Sequence, residues 1–314
     1  MSISDFQSGK KVDDYFVIKS VSVKISTANN NRYLDFIFVD STGEINGKLW
    51  KCTDEDIEEL KENLMVKVKG SVIDWQGTLQ LRIDKIRKTN TSDNVDIGDF
   101  VPSAPYKKEE MYEVLIQYIG KVKNKEIKEL LSYMIDEKKE KLLVHPAAMK
   151  NHHSIRSGLL YHTTTMLRAG EKICEIYDFL DSDLVYAGVI LHDLLKIDEM
   201  EASSLGIVSD YTLEGQLLGH IIQGVKAIEV VGEMMGADKE IISVLQHLVL
   251  CHHYEPEYGS PKKPMLPEGE VLHFLDDLDA KLFDMKKALA STEKGTFSES
   301  IWSLDKRRVY KKKF

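Results

Sequence analysis

Histidine is absent from the first 144 residues of this 314-residue chain, and all ten histidines lie between His145 and His273. Random scatter does not leave nearly half a chain empty of one residue type, so the two parts do different chemistry. Cysteine is scarce as well: Cys52, Cys174 and Cys251 are widely spaced and odd in number. That excludes a disulfide framework and reads as reduced thiols in a cytoplasmic protein. With so little cysteine, a catalytic divalent metal would be held by histidine and carboxylate. No apolar run approaches the ~18 residues needed to span a bilayer, so no membrane partner is expected. The first six residues, MSISDF, lack the basic-then-apolar layout of a signal peptide.

What is present fits a soluble globular protein with room for two domains: 43% hydrophobic and 30% charged residues. The net charge of −9 conceals residues 306–313 (KRRVYKKK), six basic residues with no acid among them. An acidic chain binds polyanions poorly except through such local patches. Residues 301–314 read as a basic tail, either a solubilising frayed end or an electrostatic contact.

Residues 14–88 carry strand signals. Residues 16–25 and 32–40 are rich in β-branched and aromatic residues with partial alternation. An Asn-rich turn at 29–31 separates them, and Ser41-Thr-Gly-Glu leads to a third strand at 45–50. A short helix over 54–62 with Thr53 as N-cap follows, then strands at 65–73 and 79–83 divided by Trp75-Gln-Gly. Five short strands with a helix between the third and fourth is the layout of an OB-fold barrel, a fold that binds single strands by stacking and a positive groove. The candidate stacking residues are Tyr33, Phe36, Phe38 and Trp75. Alternation puts Phe36 and Phe38 on one face, which is either a base platform or the core; Trp50 reads as core.

The Asn-, Ser-, Asp- and Pro-bearing segment 90–106 reads as a linker between an OB-fold domain at 1–89 and a helical domain at 107–300. Beyond it the apolar period is helical, with helices expected at 154–177, 182–196, 212–235, 239–253 and 268–290 and almost no strand. The fold class is therefore α+β multidomain: a β-barrel followed by an all-α bundle.

His192-Asp193 ends the apolar run 184–191, which should draw the pair inside. Burying an ionised aspartate requires a compensating partner, and a metal ion is one. His162 on the preceding helix and Asp276 on a late one can point to the same place. His162, His192-Asp193 and a distant Asp276 followed by Asp277-Leu278 resemble the H…HD…D pattern of the HD superfamily of metal-dependent phosphohydrolases. The match selects Asp276 over Asp277 and Asp279. Members with histidines also at the positions of His220 and His252 hold two metals. The resemblance implies one ion on His162, His192, Asp193 and Asp276, and a second on Asp193, His220 and His252, with His253 also a candidate. It implies manganese, with magnesium, cobalt or iron compatible, and gives Lys196 a role in holding the scissile phosphate. His145, His152, His247 and His273 read as structural.

The stretch from Pro146 through Arg156 to His162 and Thr163 further resembles the YhaM-type exoribonuclease family, which joins an N-terminal OB-fold to a C-terminal HD domain. Ser157 and Tyr161 stand where that family has Gly and Glu, altering the pocket wall but no ligand. In this resemblance His153 and Arg156 line the phosphate path. It implies a 3′-to-5′ exoribonuclease acting on single-stranded RNA, and on DNA as a second substrate. A hydroxide held by the metals attacks the terminal phosphodiester, and a 5′-mononucleotide leaves. A homo-oligomer is expected. The rivals are an HD phosphohydrolase of small nucleotides and a non-catalytic OB-fold protein that only binds nucleic acid.

Overall fold

The computed structural model describes residues 2–26, 30–95, 97–149, 152–203 and 205–314. They form two compact units, Met1–Ser103 and Ala104–Phe314. The division falls inside the 90–106 segment.

The first unit is a closed five-stranded barrel in the order β1-β2-β3-β5-β4. Its strands are β1 (Lys11–Ile25), β2 (Arg32–Asp40), β3 (Gly43–Leu49), β4 (Met65–Trp75) and β5 (Thr78–Lys88). Strand β1 is long enough to serve two neighbours. Its first half pairs with β4 and its second with β2, with a register shift between Ile18 and Ser20 that bends it around the barrel. A parallel pairing of β3 with β5, Asn46 to Gln80 and Lys48 to Arg82, closes the cylinder. Between β3 and β4 lies α1 (Asp54–Glu59), started by a reciprocal cap: the Thr53 hydroxyl accepts the Asp56 N–H and the Asp56 carboxylate accepts the Thr53 N–H. It ends three residues before the expected Glu62. Of the expected turn at 29–31, Asn29 lies outside the described residues, as do Lys150 and Asn151 in the stretch that resembles the exoribonuclease family.

Phe36 and Phe38 are both 0% exposed, with rings 5.0 Å apart inside the barrel. They are core and cannot form a base platform. The reason is alternation around a closed barrel, where Leu34, Phe36 and Phe38 all face the one apolar interior. Gly47 makes room for them, since a Cβ there would lie 2.5 Å from the Phe38 ring. The same alternation carries Lys48 and Trp50 outward past the buried Leu49. Trp50 is accordingly 43% exposed, correcting its assignment to the core.

The second unit is helical: α2 (Lys108–Lys121), α3 (Lys125–Leu142), α4 (Gly158–Ile176), α5 (Ser182–Leu191), α6 (Lys196–Glu199), α7 (Leu213–Met235), α8 (Lys239–Cys251) and α9 (Pro267–Ala290). Helix α4 starts at Gly158 rather than 154 because His153 and Ser157 take left-handed φ values of 53° and 59°, which hold the preceding segment in a loop. Helix α5 stops at Leu191, so His192 to Leu195 form a turn before α6. A small antiparallel pair, β6 (Met200–Ala202) with β7 (Val208–Tyr211), follows, although this half showed almost no strand signal. Among the described residues no helix is long and apolar enough to cross a membrane.

Candidate metal centre

Helix α5 is buried from Val185 to Leu191, so the turn after it opens inside the bundle and carries His192 and Asp193 there. Helix α4 contributes His162, α7 His220, the end of α8 His252, and α9 Asp276. His162, His192, Asp193, His220 and His252 are all buried. His220 reaches the centre through a kink: Gly219 takes φ 71° and ψ 163°, a backbone conformation essentially restricted to glycine.

Asp193 divides the imidazoles into two pairs. Its Oδ2 lies 3.4 Å from His192 Nε2 and 3.9 Å from His162 Nε2. Its Oδ1 lies 3.3 Å from His220 Nε2 and 3.8 Å from His252 Nε2. Asp276 Oδ1 joins the first pair, 3.2 Å from His162 Nε2. His253 joins the second, offering a ligand atom within 4.8 Å of those of Asp193, His220 and His252.

Each imidazole is fixed from behind. His192 Nδ1 donates to the Val189 carbonyl at 2.9 Å and His252 Nδ1 to the Val249 carbonyl at 2.7 Å. His162 Nδ1 donates to Asp279 at 2.7 Å, and His220 Nδ1 to Glu199 at 3.1 Å. With the proton fixed on Nδ1, each imidazole in its neutral form turns its Nε2 lone pair to Asp193. The Nε2 atoms of all four histidines, and Asp193 Oδ1, are buried without a hydrogen-bond partner. Unsatisfied buried polar groups are costly, and five converging on one point are what a metal centre leaves when the ion is not counted. Ligands about 2.1 Å from a common ion lie roughly 3–3.5 Å apart; the His192, His220 and Asp276 contacts at 3.2–3.4 Å match this, and those of Asp193 with His162 and His252 at 3.9 and 3.8 Å are wider. These residues fit one or more divalent ions, with Asp193 as the bridge if there are two.

The electrostatics agree. Burial opposes ionisation of Asp193, yet Lys196, His192 and His220 hold it well below the usual carboxylate range. Burial likewise works against charge on Lys196, and Asp193 and Asp276 raise its pKa in spite of it; its Nζ lies 2.6 Å from Asp193 Oδ2. Burial keeps His252 and His253 neutral, the form that ligates a metal. His162 differs: burial is outweighed by Asp276 and Asp279, which push it up to about 10.

Among the residues assigned to the phosphate path, His153 is buried beneath the centre rather than open to it. Its Nε2 donates to Asp279 at 2.8 Å and its ring lies 4.0 Å from that of Phe283. Arg156 is also buried, its backbone carbonyl accepting the Ala104 N–H and its side chain running past Gly206. Three residues escaped the sequence reading. Asp279 holds both His162 and His153, and its signal was the three-residue spacing from Asp276, one turn along the same helix face. Glu199, three residues beyond Lys196, accepts both the backbone N–H and Nδ1 of His220. His152, read as structural, has its ring 6.0 Å from that of His162, with burial, Lys196 and His162 lowering its pKa to about 4. His145, His247 and His273 each bond the backbone: the Pro146 carbonyl, the Met265 N–H and the His252 carbonyl.

The barrel unit has its own aromatic cluster on its outer face, with Trp50 exposed and Tyr33 and Lys48 half-buried. Tyr33 and Trp50 pack with ring centroids 4.5 Å apart and planes tilted by 30°, and the Lys48 Nζ sits 5.6 Å from one ring and 5.5 Å from the other. Trp75 is 59% exposed at the β4–β5 turn. Strands two and three and the last hairpin loop are where OB-folds meet oligonucleotides.

Residues 159–281 match the HD domain family, and residues 17–89 match the family of OB-fold nucleic acid binding domains. Several solved structures are similar. One is a replication protein A heterotrimer bound to ssDNA, at 18% identity over 28% of this chain and 63% of that chain, TM-score 0.23. Another is the second OB-fold domain of replication protein A from Methanococcus maripaludis, at 18% identity over 29% of this chain and 95% of that one, TM-score 0.25. A third is the mitochondrial single-stranded DNA binding protein Rim1 from S. cerevisiae, at 20% identity over 27% and 97%, TM-score 0.23. An HD domain with its His/Asp cluster in place indicates a metal-dependent phosphohydrolase, and the OB-fold connects it to nucleic acid.

Proposed function

We propose that this chain is a 3′-to-5′ exoribonuclease that hydrolyses single-stranded RNA, and single-stranded DNA as a second substrate, to 5′-mononucleotides. The observation that carries this reading is the division of Asp193: one oxygen faces His162 and His192, the other His220 and His252. That arrangement supports a pair of ions, manganese in our reading, on either side of one carboxylate. Bound there, the ions would acidify a water and neutralise charge on the attacking and leaving oxygens of a phosphodiester.

The chain's own residues do the rest. His162, His192, Asp193 and Asp276 form one ligand set; Asp193, His220, His252 and His253 form the other. Asp279 and Glu199 keep His162 and His220 turned inward. Lys196 carries a fixed positive charge at the centre, held by Asp193 until a phosphate competes for it. His152, neutral and beside His162, is a further candidate to meet the phosphate, a role that suits it better than the buried His153. Tyr33, Lys48, Trp50 and Trp75 hold the strand by stacking and charge, without reading its sequence. A homo-oligomer belongs to the same reading. The exposed Leu213 and Leu217, one turn apart on α7, are a surface it would cover, and sedimentation of the full chain tests it.

Incubating end-labelled single-stranded RNA and DNA with the chain and manganese tests the activity. Stepwise shortening with mononucleotide release supports the proposal. Internal cuts, or hydrolysis of free nucleotides but not of strands, would replace it.

A further inference from the structure

Beyond the barrel and the metal centre, the basic segment at the C-terminus is folded rather than frayed. Phe297 bridges Tyr310 and Ile301 bridges Arg307, both antiparallel. The Ser298 N–H donates to Val309 at 2.8 Å, and the Lys311 N–H to Thr296 at 2.9 Å. Asp305 and Lys306 take φ values of 54° and 60°, and the Arg307 N–H returns to the Leu304 carbonyl at 2.9 Å. That is a type I′ turn, the geometry that closes a hairpin. Leu304 and Ser298 anchor the hairpin as its buried residues, and the Ser303 hydroxyl bonds Asp284 on α9. Asp284 stands eight residues beyond Asp276, about 12 Å along the helix axis.

The hairpin therefore presents a fixed surface. Its aromatic residues are exposed: Trp302 at 77%, with Phe297, Tyr310 and Phe314. Tyr310 stands among the six basic residues of 306–313 and Phe314 follows them, while Phe297 and Trp302 lie on the facing strand. Arg308 lies over the Phe297 ring at 5.7 Å and Lys312 over that of Phe314 at 5.2 Å. Trp302 borders a cleft of about 640 Å³ between the hairpin and the end of α9, where the hydroxyls of Ser291, Thr292, Thr296 and Ser300 donate to backbone carbonyls and keep lone pairs that can accept from a ligand. Asp284, Glu293 and Glu299 also line the cleft and outnumber Lys287, which makes it unsuitable for phosphate. Planar, hydrogen-bonding, uncharged groups suit the cleft, and anionic groups suit the basic strand beside it.

We infer that this C-terminal hairpin is a second binding surface for single-stranded nucleic acid, with a base stacked on Trp302 and the phosphates along Arg307 to Lys313. Opposite charge and ring stacking identify the occupant; ordering of the hairpin before binding lowers the entropic cost. The inference rests on the proposed nuclease only in taking a single strand as substrate.

The test measures binding of the full chain, in EDTA, to a labelled oligouridylate of about 20 nucleotides, longer than the ~4–16 that one OB-fold occupies. Fluorescence anisotropy is read across a salt series. Combined K311A/K312A/K313A should flatten the slope of log K against log salt by about 2, at ~0.7 per lost phosphate contact. Trp302→Ala should weaken binding roughly 5–150-fold, and Trp302→Phe should restore most of it. Parental affinity and slope in all three variants would overturn the inference. So would Trp302→Phe as weak as Trp302→Ala, because the loss would then not be stacking. Phosphatidylserine vesicles serve as a second probe. If the variants lose vesicle binding but keep parental oligouridylate binding, the hairpin is a membrane-facing surface and the inference fails. Mononucleotide release with manganese is scored separately. Hairpin-dependent binding without release sinks the nuclease reading alone, and release with hairpin-independent binding sinks this inference alone.

Discussion

Replacing Asp279 by asparagine keeps the shape of the side chain and removes its charge. One carboxylate oxygen now accepts from His162 Nδ1 at 2.7 Å and from His153 Nε2 at 2.8 Å. After the substitution a neutral carbonyl oxygen faces both donors. A hydrogen bond to a charged partner is worth about 1.5–3 kcal/mol. Loss of the group that orients a metal-ligating histidine costs about 10–100-fold in affinity, or about 1.4–2.7 kcal/mol at 1.36 per decade. The two figures agree, so Asp279→Asn should weaken the ion on His162 and His192 by that factor. The ion on His220 and His252, whose support is Glu199, should be nearly unaffected. Calorimetric titration of the metal-free chain with manganese reads both, with circular dichroism confirming that the helices are retained. Two ions bound at parental affinity would refute the claim that Asp279 positions His162.

Trp50→Ala should leave stability within about 0.5 kcal/mol while weakening single-strand binding, because Trp50 lies outside the barrel. Phe38→Ala should instead cost about 3–5 kcal/mol in urea unfolding, and the reverse pattern would contradict the assignment of the two faces. Gly219→Ala should strain a glycine-only conformation by about 1–3 kcal/mol and selectively lose the ion on His220, measured as a drop in manganese stoichiometry; unchanged stoichiometry would mean that the kink does not aim His220. His162 supplies a pH test. Its folded pKa is raised to about 10, chiefly by Asp276 and Asp279 against burial. Its charged form therefore stabilises the metal-free fold fully below the unfolded value near 6.5 and ceases to as pH rises through about 10. Thermal midpoints of the metal-free chain should fall over that window, and His162→Gln should remove that part of the fall. Metal uptake near neutral pH should expel about one proton, seen as different binding heats in buffers of different ionisation enthalpy.

The barrel was legible because strand alternation, turn residues and the Thr53 cap are local signals, and they agree with the closed sheet. The same alternation contained the answer for Phe36, Phe38 and Trp50. Only closure of the barrel decides which face is the interior, and closure depends on the β3–β5 pairing between residues far apart in sequence. At the candidate metal centre, His192-Asp193 was readable from the apolar run it ends, and His162, His220 and His252 from the resemblance to the HD pattern. Asp279 and Glu199 were not, because supporting carboxylates look like ordinary surface acids until helix packing turns them inward. His152 and His153 sit in a loop set by left-handed residues, where no periodicity indicates direction. The hairpin around Asp305 and Lys306 was hidden because, although Asp305 suits the first central position, Lys306 stands where Gly usually marks such a turn.

The central claim is that Asp193 serves two ions in cutting a single strand. Its most direct test compares the parental chain with Asp193→Asn on end-labelled single-stranded RNA in manganese, following mononucleotide release. The account predicts stepwise release by the parental chain, abolished in the variant together with binding of both ions. Release by Asp193→Asn at the parental rate would contradict it.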